Sequence, residues 1–264
     1  MQEDVRCEVV KKGVEYTIPP DGAVCHLQIS NDRQHLFSET ETMITLGLAS
    51  DPERLALEKC IMKMRPGEET RIEIGKIDPS GGRGSRKEVL IKLKHFSGCQ
   101  IFEMDTTEKW RLANWHKDHG VSLFANEKLE WAFRQFSLAL QYIISLALDI
   151  PEVQHNDQNM NINQLRTLVY LNMSACQLKV KNYNFAAENA SKALAIAPRN
   201  PKGLYRRGTA LMHLQEYEKA EADLTAARDL EPHNAMIQES IRNLRSRVTA
   251  LDKKYAVAMK KMFQ

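Results

Sequence analysis

Set one above the other, "NYNFAAENASKALAIAPRNP" (182–201) and "EYEKAEADLTAARDLEPHNA" (216–235) place Tyr183 over Tyr217, Ala186 over Ala220, Ala193 over Ala227 and Pro198 over Pro232. Every offset is 34 residues, the length of a helix-turn-helix unit that stacks on copies of itself. The alanines fall where paired helices approach closely, and the prolines stop each second helix at its C-terminal end. Gly208 lies inside the first helix of the last unit, where a side chain is expected to strike the partner helix.

An earlier unit obeys the same arithmetic. Gly120, Ala132 and Ala139 precede Ser174, Ala186 and Ala193 by 54 residues, which is 34 plus an insertion of 20 around "ALDIPEVQHNDQNMNINQ" (147–164). Pro151 and the run of Asn, Asp and Gln there read as a lengthened helix end and a loop. Three repeats are therefore expected near 113–146, 167–200 and 201–234, the period being that of the tetratricopeptide (TPR) unit. Three is the minimum at which stacked pairs bury a continuous core.

Beyond them Ile241, Leu244, Val248, Leu251, Tyr255, Met259 and Met262 recur at steps of three and four. That spacing predicts one apolar stripe on a closing helix over 235–263. Its other faces are basic, a pattern that also suits a calmodulin target or a membrane-surface segment. A cap is preferred, because such an array needs a terminal element to cover its last repeat.

The first hundred residues change period. "CHLQI", "MITLGL", "TRIEIGKI" and "EVLIKLKHF" alternate apolar and polar residues, separated by Gly, Pro, Asp and Asn, which predicts strands. "LALEKCIMKM" (55–64) is the single helical pattern among them. The expectation is an α+β domain, a sheet around one helix, over 1–105, followed by an all-α superhelix with its capping helix over 106–264.

Composition narrows the function. A net charge of +3 in 264 residues makes no case for nucleic-acid binding or for a polybasic membrane anchor. No apolar run approaches spanning length, and "MQEDVRCEVVKKG" lacks a signal peptide's apolar core, so a soluble cytoplasmic protein is expected, its range extending to the nucleus. Cys7, Cys25, Cys60, Cys99 and Cys176 form no C-x-x-C pair. An odd, scattered set suggests unpaired cysteines in a reducing compartment. His116 and His119 lack a Glu or Cys nearby to complete a metal set and read as surface histidines, so neither a metal nor a cofactor is expected. Gly81, Gly82 and Gly84 lack the strand-loop-helix frame of a phosphate loop and read as a hairpin tip.

One charged stretch stands apart. In "PKGLYRRG" (201–208) helical spacing puts Lys202 and Arg206 on one face, one turn apart, while Arg207 points elsewhere. Lys117 is the fifth residue of the first unit, Asn172 the sixth of the second, and Lys202 and Arg206 the second and sixth of the third. All four fall on first helices, and first helices line the hollow of such an array. A solvated helix surface is the plain reading of the pair; a receptor for carboxylates is the sharper one.

The order strand, "ITLGL", a helix ending "MKMRPGEE", then "TRIEI" resembles the immunophilin domain of the FKBP family. With three TPR units behind it, the chain is similar to the TPR-containing FKBP-type immunophilin co-chaperones, with "NMSACQLKVKNY", "NPKGLYRRG" and "MKKMFQ" as the most specific pieces. The resemblance implies a carboxylate clamp of Lys117, Asn172, Lys202 and Arg206, supported by Lys179, that holds the C-terminal Met-Glu-Glu-Val-Asp of heat-shock protein 90. Val121 stands where the strictest clamp has Asn, implying weakened binding. It also implies a degenerate isomerase half: the Trp floor of the family's aromatic cup is Leu57 here, a wall Tyr is Leu27, a rim Asp is Ser38 and a last-strand aromatic is Val89. The expected function is a non-enzymatic adaptor, the first domain contacting a client or regulator. The alternatives are a residual prolyl isomerase and a scaffold for another acidic peptide.

Overall fold

Cys25 and Leu27 are buried on β2 (Val24–Ser30), while His26 and Gln28 between and beyond them are half-exposed. This is the period-two signature of a strand with one side on a core. In the computed structural model, which describes residues 3–13, 17–20, 22–30, 40–49, 51–77, 83–98, 100–150 and 161–262, four more strands join it: β1 (Glu3–Lys11), β3 (Thr40–Thr45), β4 (Glu69–Ile77) and β5 (Arg83–Ser97). They make an antiparallel sheet in the order β1-β4-β5-β2-β3. β1 is an edge strand that the sequence reading did not anticipate.

One helix, α1 (Pro52–Ile61), accompanies the sheet. Asp51 caps it by accepting the Arg54 N–H at 2.8 Å, and Pro52 occupies the first turn, where its missing N–H costs nothing. Ile61 and Met64 pack with Cys25, Leu27, Ile72, Ile91 and Leu93 to form the core. Glu58 is fully buried beside it, its carboxylate accepting the Gly47 N–H at 3.1 Å and Arg54 Nε at 3.4 Å. A buried carboxylate needs such donors, because its charge is costly without them.

The unpaired-cysteine expectation is corrected here. Cys7 on β1 and Cys60 on α1 form a disulfide, their Cα atoms 6.6 Å apart. They lie 53 residues apart in sequence, a separation at which no local spacing reports that strand and helix run side by side. Cys25 and Cys176 are free and buried, and burial pushes their thiols up to about 11 and about 12.

The chain divides into two compact units, residues 1–108 and 109–264. In the second, helices pack as consecutive pairs: α2 (Thr106–Ala125) with α3 (Leu129–Asp149), α4 (Ile162–Lys179) with α5 (Tyr183–Ile196), and α6 (Pro201–His213) with α7 (Tyr217–Leu230). α3 has 21 residues against 14 in α5 and α7, which places part of the insertion in a lengthened helix; 151–160 lie outside the described residues. Ala132, Ala186, Ala220, Ala139, Ala193 and Ala227 are all fully buried. A Cβ on Gly208 would come within 2.8 Å of Leu224 and one on Gly120 within 2.6 Å of Phe136. Close approach therefore dictates glycine at both positions.

The closing helix α8 (Ala235–Met262) has two halves. Ile237 and Leu244 are buried against α6 and α7, whereas Tyr255, Met259 and Met262 are exposed. The apolar stripe is continuous, but its cover of the last repeat ends near Val248 and Leu251, both half-buried. No helix among the described residues is long and apolar enough to cross a membrane.

Candidate functional site

Asn200 caps α6 by accepting the Gly203 N–H at 3.0 Å, and Pro201 starts its first turn. This cap sets where the helix begins and so which residues share a face. Lys202, Tyr205, Arg206 and Thr209 then line a cavity of about 440 Å³. Lys179 closes it from the end of α4, Phe124 from α2, and Glu231, Asn234 and Ile237 from the α7–α8 turn and α8. Among the sequence-derived candidates, the cavity unites Lys179, Lys202 and Arg206.

The three cations are held differently. Lys202 is exposed and meets no carboxylate among the described residues. Arg206 is half-buried and donates through a guanidinium nitrogen to the Leu171 carbonyl on α4. Burial holds its guanidinium below the ordinary arginine value, and no carboxylate among the described residues pairs with it to offset that cost. Lys179 stands 4.9 Å above the Phe124 ring and 3.8 Å from Glu127. Such a site gains from an anion, because the desolvated guanidinium and the unpaired ammonium both lack one.

Lys117 and Asn172 sit on α2 and α4 outside this cavity's lining. Lys117 pairs with Asp118 at 2.6 Å, and Asn172 is half-buried next to Leu171. Val121 is 47% exposed on α2. Phe124, Tyr205, Thr209 and Glu231 were missed in sequence. The first three are the twelfth, fifth and ninth residues of their units, so the repeat register could have flagged them.

Arg207 turns to the other side of α6 and grips Asp223 of α7 with two bonds of 2.7 Å. His116 is not a surface residue: it lies on the α2 stripe with Ala113, Gly120 and Leu123, buried against α3, its Nδ1 2.7 Å from Gln135 Oε1. His119 is half-buried and stacks on Trp115. No cluster of three metal-ligating side chains occurs among the described residues.

In the first unit Leu27 is fully buried, and Leu57 and Val89 pack against the same core. Ser38, Gly81 and Gly82 lie outside the described residues, and Gly84 belongs to β5.

Residues 201–234 match the tetratricopeptide repeat family. Human FK506-binding protein-like is 30% identical over 208 residues, covering 78% of this chain and 54% of its own length. Mouse peptidyl-prolyl cis-trans isomerase FKBP4 is 25% identical over 235 residues, covering 84% of this chain and 50% of its own. The chain spans about half the length of the curated relatives it matches. Among solved structures, the C-terminal TPR-containing domain of a Plasmodium falciparum FK506-binding protein superposes with a TM-score of 0.53 at 26% identity, covering 58% of this chain and 99% of that one. The chain carries a TPR repeat and is homologous to FKBP4 and the FK506-binding protein-like immunophilins.

Proposed function

We propose that this homologue of the TPR-containing FKBP immunophilins is a co-chaperone adaptor whose helical module, 106–264, binds the free acidic C-terminus of heat-shock protein 90. The observation that carries the reading is the cavity in which Lys202, with no ion pair among the described residues, stands beside a desolvated Arg206 and Lys179. A terminal Asp brings two carboxylates, and charge-assisted bonds of about 1.5–3 kcal/mol each suit them to those cations. Lys117 and Asn172 complete the proposed clamp from α2 and α4. The test is calorimetric titration of acetyl-Met-Glu-Glu-Val-Asp, with the amidated peptide as control. Binding of an unrelated acidic peptide but not of this one would instead favour a scaffold for another partner.

The first unit, 1–105 in this reading, is a fold without isomerase activity that contacts a client or regulator. Twisting an X-Pro amide in this family relies on a desolvated aromatic cup. Leu27, Leu57 and Val89 offer no ring at the positions where the family has them, and all three are spent on core packing. FKBP4 is named an isomerase, so the point is decided by a coupled proline-isomerisation assay. A rate indistinguishable from the uncatalysed one is expected; appreciable turnover would make the chain an enzyme.

A further inference from the structure

We infer that the cavity has two poles and that Glu231 makes it select an acidic-ended peptide carrying a positive charge upstream of its terminal carboxylate. This inference rests on the peptide-receptor reading above. Lys179, Lys202 and Arg206 supply the positive pole from α4 and α6, and Glu231 at the C-terminal end of α7 supplies the negative one. Glu231 makes no ion pair with any of them among the described residues. Its Oε2 accepts Asn234 Nδ2 at 2.7 Å, while Asn234 Oδ1 accepts the Met236 N–H at 3.0 Å. Both ends of the amide are thus in use, which fixes it and holds the carboxylate in place without neutralising it.

Opposite charges that share one small cavity without touching leave a demand of each sign for a ligand to meet. A peptide anchored by its terminus on Lys202 and Arg206 shares the cavity with apolar Phe124, Tyr205 and Ile237 and with that carboxylate. An upstream Glu arriving there meets a like charge, and a Lys meets its complement; discrimination comes as much from the repulsion as from the attraction.

The test uses the full chain and three acetylated peptides with free C-termini: Met-Glu-Glu-Val-Asp, Met-Lys-Glu-Val-Asp and Met-Glu-Lys-Val-Asp. At least one lysine peptide is expected to bind about 3- to 10-fold tighter than the all-acidic one. Glu231→Gln should erase that preference and Glu231→Lys reverse it, with circular dichroism confirming that both variants fold. Equal affinities for all three peptides, or a lysine advantage that survives Glu231→Gln, would overturn the inference. Amidated versions separate this failure from that of the receptor itself: if binding needs the free terminus but ignores the lysine, only the selectivity is wrong, whereas binding indifferent to amidation removes both.

Discussion

Arg206 and Arg207 are neighbours in sequence with opposite work. Arg206 turns toward the cavity and α4; Arg207 holds Asp223, which is 7% exposed, through two parallel bonds. The bond to Asp223 is also what chiefly raises the Arg207 guanidinium above its ordinary value. Removing Arg207 strands a buried carboxylate, so Arg207→Ala should cost about 1–3 kcal/mol in urea denaturation while leaving peptide affinity nearly unchanged in the folded protein. Helical spacing was enough to separate the two faces in sequence. It could not reveal Asp223, because the partner sits on the next helix. Two histidines give the helical unit a pH response. Burial lowers the imidazole of His119, and burial with Arg247 and Lys181 nearby lowers that of His213. Each favours the neutral form when folded, so its contribution is full above the ordinary value of 6.5 and is lost as pH falls through the lower folded value. Stability measured from pH 7 down to 5 should therefore decline, and His213→Gln should flatten the slope.

At the scale of elements, the turns repeat as faithfully as the helices. Glu127, Lys181 and Gln215 take positive φ of 59°, 61° and 65°, and they are separated by the same 54 and 34 residues as the alanines. Behind each, the next N–H reaches back five residues: Lys128 to Leu123, Asn182 to Gln177 and Glu216 to Leu211. This is the Schellman closure, in which a left-handed residue ends the helix. A non-glycine residue there is strained, so Gln215→Gly should raise stability by about 0.5–1 kcal/mol after the entropy that glycine adds to the unfolded chain. Thermal denaturation checks it, and a loss would mean that the turn is held by the glutamine side chain. The left-handed turns left little trace in the residue types, since Glu, Lys and Gln carry no turn signature. The helices were legible because small residues must recur wherever backbones approach, and Gly208 beneath Leu224 is the clearest case. β1 carries the same signal, Val5, Cys7 and Val9 alternating with Arg6 and Glu8 in "EDVRCEVVK", the period of a strand.

Across the whole molecule, two kinds of order meet in one chain. The helical unit is built from local contacts between successive pairs, which is why its plan could be read from periodicity. The sheet unit joins distant segments, β1 with β4 and β2 with β5, and its Cys7–Cys60 bridge crosses a separation that no local pattern reports. The cavity lies between these extremes. Lys202 and Arg206 were visible as a pair on one face, but Glu231 comes from the α7–α8 turn, a position that the clamp resemblance does not mark. Lys202 is the cleanest probe of the proposed receptor, for it is exposed and has no ion pair to lose among the described residues, whereas Arg206 also holds the Leu171 carbonyl. The decisive measurement is calorimetric titration of free and amidated acetyl-Met-Glu-Glu-Val-Asp into the intact chain and into Lys202→Ala. The account predicts that amidation, and Lys202→Ala with the free peptide, each weaken binding about ten- to a hundredfold, the loss of roughly 1.5–3 kcal/mol of charge-assisted bonding. Equal affinity for the free and amidated peptides, or no change in Lys202→Ala, would contradict it.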